Sequence, residues 1–200
     1  MYEDYTGKDL ILATGAPGSR WSGVSRVFRD NLPNVDNTDM TPDKKYESKV
    51  FSGHVGNYYG PGEPYGEFLK HRLGTIEEWQ NEIERSYSGS ADSIKLILSH
   101  HFSYYISEIK EQFTDSRIVL CYRPDEECLK WWHEAGGWNI THPNYSWYVN
   151  DERMRRCIKE QNQELLKHGE FSAPDINLFR REFDTDVDFI FERDVQVSIL

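Results

Sequence analysis

The run Leu10-Ile11-Leu12-Ala13-Thr14-Gly15-Ala16-Pro17-Gly18-Ser19-Arg20-Trp21-Ser22-Gly23 passes from strand-forming residues through small turn residues into a helical pattern. Its first part, Lys8 to Thr14, reads as a buried strand, and Ser22 to Asn31 as a helix carrying Val24, Val27 and Phe28 on one face. Small residues between a strand and a helix let consecutive backbone N–H groups converge on an anion, and the helix start adds its positive dipole end. Gly15, Ala16, Pro17, Gly18, Ser19, Arg20, Trp21 and Ser22 are therefore the candidate anion cradle. The phosphate-loop pattern of ordinary ATPases needs Gly-Lys where this chain has Arg20-Trp21, so that pattern is not met.

Working outward, two further apolar runs end in polar residues of chemical interest. Ser93 to Ser99 reads as a strand ending on His100-His101, and the amphipathic segment Tyr104 to Phe113 after it turns Ile106 and Ile109 inward. Arg117 to Tyr122 reads as a strand ending on Arg123, and Pro124 then opens a helix whose Asp125, Glu126 and Glu127 suit its positive end. Three strands, each followed by a helix, predict an α/β fold with a mostly parallel central sheet and helices on both faces, a three-layer arrangement. Ligands of such sheets sit beyond the carboxyl ends of the strands, where the loop, the histidine pair and Arg123 all emerge. On a strand, His100 and His101 would point to opposite faces, so one of them faces the site.

Elsewhere the pattern is more mixed. Leu32 to Gly74 is rich in Pro, Gly, Asn and Asp, with Lys49 to Gly53 as one short strand-like piece; loops of this length are commonly lids or binding segments. Thr75-Ile76-Glu77-Glu78 has the form of a capping box and opens a helix to about Tyr87. Asn150 to His168 is a long helix with a Gly169 stop, Phe183 to Leu200 suggests an edge strand or hairpin, and Asp184 to Asp194 a solvated acidic edge. Trp131-Trp132-His133 reads as helix packing rather than adenine stacking, whereas Trp138, Tyr145, Trp147 and Tyr148 flank a Gly136-Gly137 break and suit either the wall of an acceptor pocket or the core of a small domain.

Composition narrows the function classes. Two hundred residues make one domain, residues 1–200, with apolar content sufficient for a core. A net charge of −11 disfavours a nucleic-acid binder, and it requires a locally positive pocket for any anion. The odd set Cys121, Cys128 and Cys157 lacks metal-ligand spacing, so reduced thiols and no metal are expected. No apolar run approaches the ~18 residues of a membrane span, and the N-terminal residues lack a signal-like pattern. A cytoplasmic protein with no membrane partner is the expectation.

Taken together, Thr14 to Ser22, Ile97 to His101 and Arg117 to His133 resemble the sulfotransferases that use 3′-phosphoadenosine 5′-phosphosulfate (PAPS). The first stretch matches that family's loop of strand, Pro, basic residue, Ser, Gly, Thr, Thr and helix. The second resembles its strand ending in Lys-Thr-His, and the third its strand, arginine and helix around the donor's 3′-phosphate. The interval from His101 to Arg123 is the family's own. The resemblance covers roughly residues 8–31 and 94–135. It implies a P-loop-like fold, PAPS as donor, release of adenosine 3′,5′-bisphosphate (PAP), no metal, and a hydroxyl or amine acceptor on a small molecule, saccharide or peptide. It makes His101, or alternatively His100, the base, with Arg20 as the loop's cation and Arg123 on the 3′-phosphate.

The chain departs from the family in three places. Gly18 stands where the loop has Lys or Arg, so the basic role falls to Arg20. The serine that accompanies the arginine is Lys130 if one residue is deleted and Trp131 if none is. The C-terminal Arg-Lys-Gly motif has no counterpart. Two other functions stay open on these residues. One is a small-molecule or nucleotide kinase, since Gly15 to Ser19 opens like the loop of adenylate kinases; the other is a PAP-binding relative without catalysis.

Overall fold

The computed structural model describes residues 5–36, 56–140, 144–184 and 195–200. The apolar runs become strands β1 (Leu10–Gly15), β3 (Lys95–Leu98) and β4 (Arg117–Tyr122), joined by β2 (Asn57–Tyr58) and β5 (Gln196–Ile199). Their order across the sheet is β2-β3-β1-β4-β5. β1 pairs in parallel with both β3 and β4, β2 is parallel to β3, and β5 is antiparallel to β4 at the edge. The expected α/β architecture with a mostly parallel sheet is present, and Gln196–Ile199 forms an edge strand, whereas the alternating residues Val187, Phe189 and Phe191 lie outside the described residues.

Side-chain alternation along the strands sends one set of residues to each face. Leu10, Leu12, Ile97, Ile118 and Leu120 pack with Trp79 of α2 (Ile76–Ser86), Ile106 and Ile109 of α3 (Ile106–Gln112) and Leu165 of α5 (Asp151–His168). On the other face Ile11, Ala13, Leu96, Leu98, Val119 and Cys121 pack with Trp21, Val24 and Phe28 of α1 (Trp21–Asn31) and Phe179 of α6 (Ile176–Glu182). A further cluster caps the carboxyl edge of the strands: Ala16 of the loop, Cys128, Leu129 and Trp132 of α4 (Asp125–Glu134), and Met154 and Ile158 of α5. The loop after β1 is thus seated on its own small core.

Several boundaries follow local chemistry. Thr75 and Glu78 form the capping box predicted for α2, with the Thr75 hydroxyl accepting from the Glu78 N–H and the Glu78 carboxylate accepting from the Thr75 N–H. Asn150 caps α5 through the Arg153 N–H. Pro124 sits one place before α4 rather than inside its first turn. The strand-like Lys49 to Gly53 lies outside the described residues, as does almost all of the Asp184 to Asp194 acidic edge. Among the described residues no helix is long and apolar enough to cross a membrane. Thr75→Ala removes a cap whose typical worth is about 1 kcal/mol; urea unfolding should show that loss, and an unchanged midpoint would contradict the capping geometry.

Candidate functional site

The parallel pairing brings Gly15, Ser99 and Arg123 to one end of the sheet, and the loop from Ala16 to Arg20 bridges β1 and α1 there. Ser19 N–H donates to the Ala16 carbonyl at 2.9 Å, closing a tight turn. Gly15, Ala16, Pro17, Ser19, Trp21 and Ser22 are buried; Gly18 and Arg20 are partly open. α1 starts without a side-chain cap, its first-turn N–H groups lying beside Arg20. Such a terminus favours negative charge.

Gly18 is required for a reason that periodicity cannot reveal. Its φ is +82°, and a Cβ there would stand 1.9 Å from the Cys128 carbonyl oxygen of α4. Backbone has no room to yield at that distance, so no side chain, basic or otherwise, fits at position 18. Arg20, two residues later, adopts φ 71° and ψ 11°. A non-glycine residue in this left-handed region costs roughly 1–2 kcal/mol.

Arg123 is 2 % exposed and donates from Nη1 to the Gly18 carbonyl at 2.9 Å. Its own carbonyl accepts from Asn162 Nδ2 of α5 at 2.9 Å and from the Cys128 thiol. The end of β4 is therefore tied both to the loop and to α5. Asn162 lies 39 positions from Arg123 and its tie carries no local sequence signal. Asp125 accepts from Asn162 and Glu126 faces Arg155. Lys130 is exposed and paired with Glu127 at 3.9 Å; its neighbour Trp131 is the residue beside Arg123. The Arg20 guanidinium lies over the same indole.

β3 ends at Leu98, and His100 to Tyr104 form a 3₁₀ turn capped by the Ser99 hydroxyl. The expected opposition of the two histidines assumed a continuing strand; on the turn both line one cavity. That cavity is small, about 20 Å³, and its walls include Tyr58, Tyr59, Glu63, Tyr145, Trp147 and Tyr148. Three of the aromatics expected to form a pocket wall are thus present. Trp138 is instead 41 % exposed and donates to Asp151.

His100 joins the cavity to the loop. Its Nδ1 lies 2.6 Å from the Gly15 carbonyl oxygen, which only accepts, so Nδ1 carries the proton. Nε2 then has its lone pair toward the Tyr145 hydroxyl, 3.3 Å away. The ring also packs on Trp21, with centroids 4.3 Å apart. Burial pushes the His100 pKa down to about 3, against the opposing pull of the Gly15 carbonyl. His101 donates from Nδ1 to the Leu69 carbonyl at 3.0 Å, and burial lowers its pKa as well. Both rings are neutral near pH 7. The cysteines offer no competing nucleophile: burial raises all three thiols, Cys128 to about 12.

No known protein family, curated protein or solved structure matches this chain. Among the described residues no group of three or more His, Cys, Asp or Glu side chains has an arrangement fit to hold a metal ion.

Two expectations test this description. Gly18→Ala adds a backbone clash to a positive φ and should lower the unfolding free energy by about 2–4 kcal/mol; urea denaturation decides it, and a neutral result would contradict the loop packing. The second concerns pH. A histidine whose folded pKa is depressed binds its proton more readily when unfolded, so its contribution is full above pH 6.5 and is lost as pH falls toward about 3. Between pH 7 and pH 5 the wild-type chain should lose about 2 kcal/mol more than His100→Gln, which keeps an N–H donor but does not titrate. Equal losses in the two proteins would place His100 in a solvated setting.

Proposed function

We propose that the chain is a sulfotransferase-like enzyme that holds PAPS at the loop after β1 and an acceptor in the aromatic cavity, with His100 as the base. The observation that carries this reading is the placement of His100, bonded to Gly15 of the loop through Nδ1 and turned to the cavity through Nε2. Neutral, with the Nε2 lone pair facing the Tyr145 hydroxyl, the ring has the protonation state a general base requires. His101, the other candidate, is bonded to Leu69.

In the reaction the acceptor oxygen or nitrogen takes the place of the Tyr145 hydroxyl on Nε2. Its lone pair forms the new bond to sulfur as the bond from sulfur to the 5′-phosphate oxygen breaks in line. The acceptor proton passes to His100 Nε2, and PAP leaves with the bond's electron pair. Charge that builds on the leaving phosphate is met by the α1 N-terminus and Arg20, positioned groups of the kind that dominate such transfers. Donor binding also offsets the low pKa of His100, because a nearby anion favours the imidazolium form. Arg123 serves this site by fixing the loop through Gly18.

A second reading, PAP binding without catalysis, is favoured by one specific observation: His100 is 7 % exposed and both ring nitrogens have partners in the resting structure. The kinase alternative is weaker, since the position of its phosphate-binding lysine is held by Trp21, 3 % exposed and packed on His100 and Tyr58.

Isothermal titration with PAP and transfer of labelled sulfate from PAPS to a panel of phenolic, saccharide and peptide acceptors separate these readings. The enzyme reading expects micromolar PAP binding, and His100→Ala binding PAP within about threefold of wild type while transfer falls at least about 100-fold. Binding with no transfer to any acceptor supports the second reading, and no heat at high-micromolar PAP removes both.

A further inference from the structure

Parallel pairing gives the sheet two unlike ends. Gly15 and His100 stand at the carboxyl end of β1 and β3, and Asp9 and Lys95 stand at the amino end. A second cavity opens at that amino end, between the strand starts, α2 and the turn that leads into β3. Its volume of about 430 Å³ is in the range that small ligands occupy, against about 20 Å³ beside His100. The transfer chemistry proposed for the other end makes no use of it.

The walls combine apolar surface with acceptors. Ile83 and Tyr87 are buried and Tyr5 is partly buried. Lys95, the cation among the described lining residues, is 4 % exposed, and its three ammonium protons go to the carbonyls of Ser90, Ala91 and Ser93 at 3.0, 2.9 and 2.6 Å. Its charge faces the Asp9 carboxylate at 3.5 Å. The Tyr5 hydroxyl donates to Asp9 and the Tyr87 hydroxyl to the Leu96 carbonyl. Acceptors are what these walls have to spare. The amide oxygen of Gln80 is buried with no hydrogen-bond partner among the described residues, and Glu84, one turn further along α2, is exposed and has no ion pair among them. A buried acceptor left unmatched costs free energy until a donor reaches it.

We infer that this cavity binds a small organic amine in its ammonium form, with the apolar body against Tyr5, Ile83 and Tyr87 and the N–H groups on Gln80 Oε1 and the Glu84 carboxylate. Aromatic walls attract organic cations, and charge-assisted bonds to a carboxylate are the strong ones. An anionic ligand would instead meet the carboxylates of Asp9 and Glu84, and an ammonium already spent on backbone carbonyls. The inference does not rest on the PAPS reading, because its residues come from the opposite end of the sheet.

The test is titration of the ¹⁵N-labelled chain with 2-phenylethylamine, its neutral counterpart 2-phenylethanol and its anionic counterpart 3-phenylpropionate, followed by amide shifts. The amine should saturate with a Kd of about 0.1–1 mM, move the amides of Gln80, Glu84 and Tyr87, and bind at least about tenfold more tightly than the alcohol. The carboxylate should not saturate at about 10 mM. Gln80→Leu and Glu84→Gln, both on a helix face open to solvent, should each weaken the amine about fivefold or more while keeping the dispersed spectrum of the folded chain. No saturation by the amine, equal affinity for the alcohol, tighter binding of the carboxylate, or unchanged affinity in either variant would each overturn the inference. So would saturation that moves only amides around Gly15 and His100. Loss of PAP binding in any of these proteins bears on the PAPS reading alone.

Discussion

The hydrogen bond from His100 Nδ1 to the Gly15 carbonyl, 2.6 Å long, ties the end of β1 to the turn after β3. Because a carbonyl can only accept, the bond fixes the tautomer, and the tautomer in turn points the Nε2 lone pair at the cavity. Trp21 covers one side of the ring and Tyr145 and Tyr148 lie near it, so water is largely kept away. Burial then keeps the imidazole neutral. Tautomer and direction descend from one contact between two strand ends, which parallel pairing of β1 with β3 makes possible, while the charge state comes from burial.

The loop obeys a second constraint of the same origin. Its packing on α4 is so close at Gly18 and Cys128 that backbone meets backbone. This closeness lets Arg123 bond the Gly18 carbonyl and brings Arg20 to the indole of α4. A basic side chain after Pro17 and a loop pressed against α4 exclude one another. The chain keeps the packing, and the basic residue of the loop is Arg20.

Much of the fold was legible because it rests on period and punctuation. The β4 run, the capping box at Thr75 and the polar strand ends declared themselves, since alternation, side-chain caps and chain breaks act over a few residues. β2 was not foreseen: two residues carry no period, and pairing with β3 alone defines Asn57–Tyr58 as a strand. α6 was missed too, its burial depending chiefly on Phe179 against Phe28 of α1, a contact distant in sequence. At the site, the cradle residues, both histidines and Arg123 were evident as chain ends. Which histidine bonds the loop was not, because it turns on where β3 gives way to a 3₁₀ turn. Asn162 was hidden for a similar reason: it acts on Arg123 from another helix, through a contact that sequence spacing does not encode.

The claim beneath this account is that His100 presents an unprotonated Nε2 to the cavity at neutral pH. Long-range ¹⁵N correlation spectra of the imidazole rings, with His100 assigned by His100→Gln, measure this directly. The account predicts a neutral ring with the proton on Nδ1 at pH 7 and still at pH 5, and a shift at Nε2 when PAP is added. A proton on Nε2, or a titration midpoint near 6.5, would contradict it.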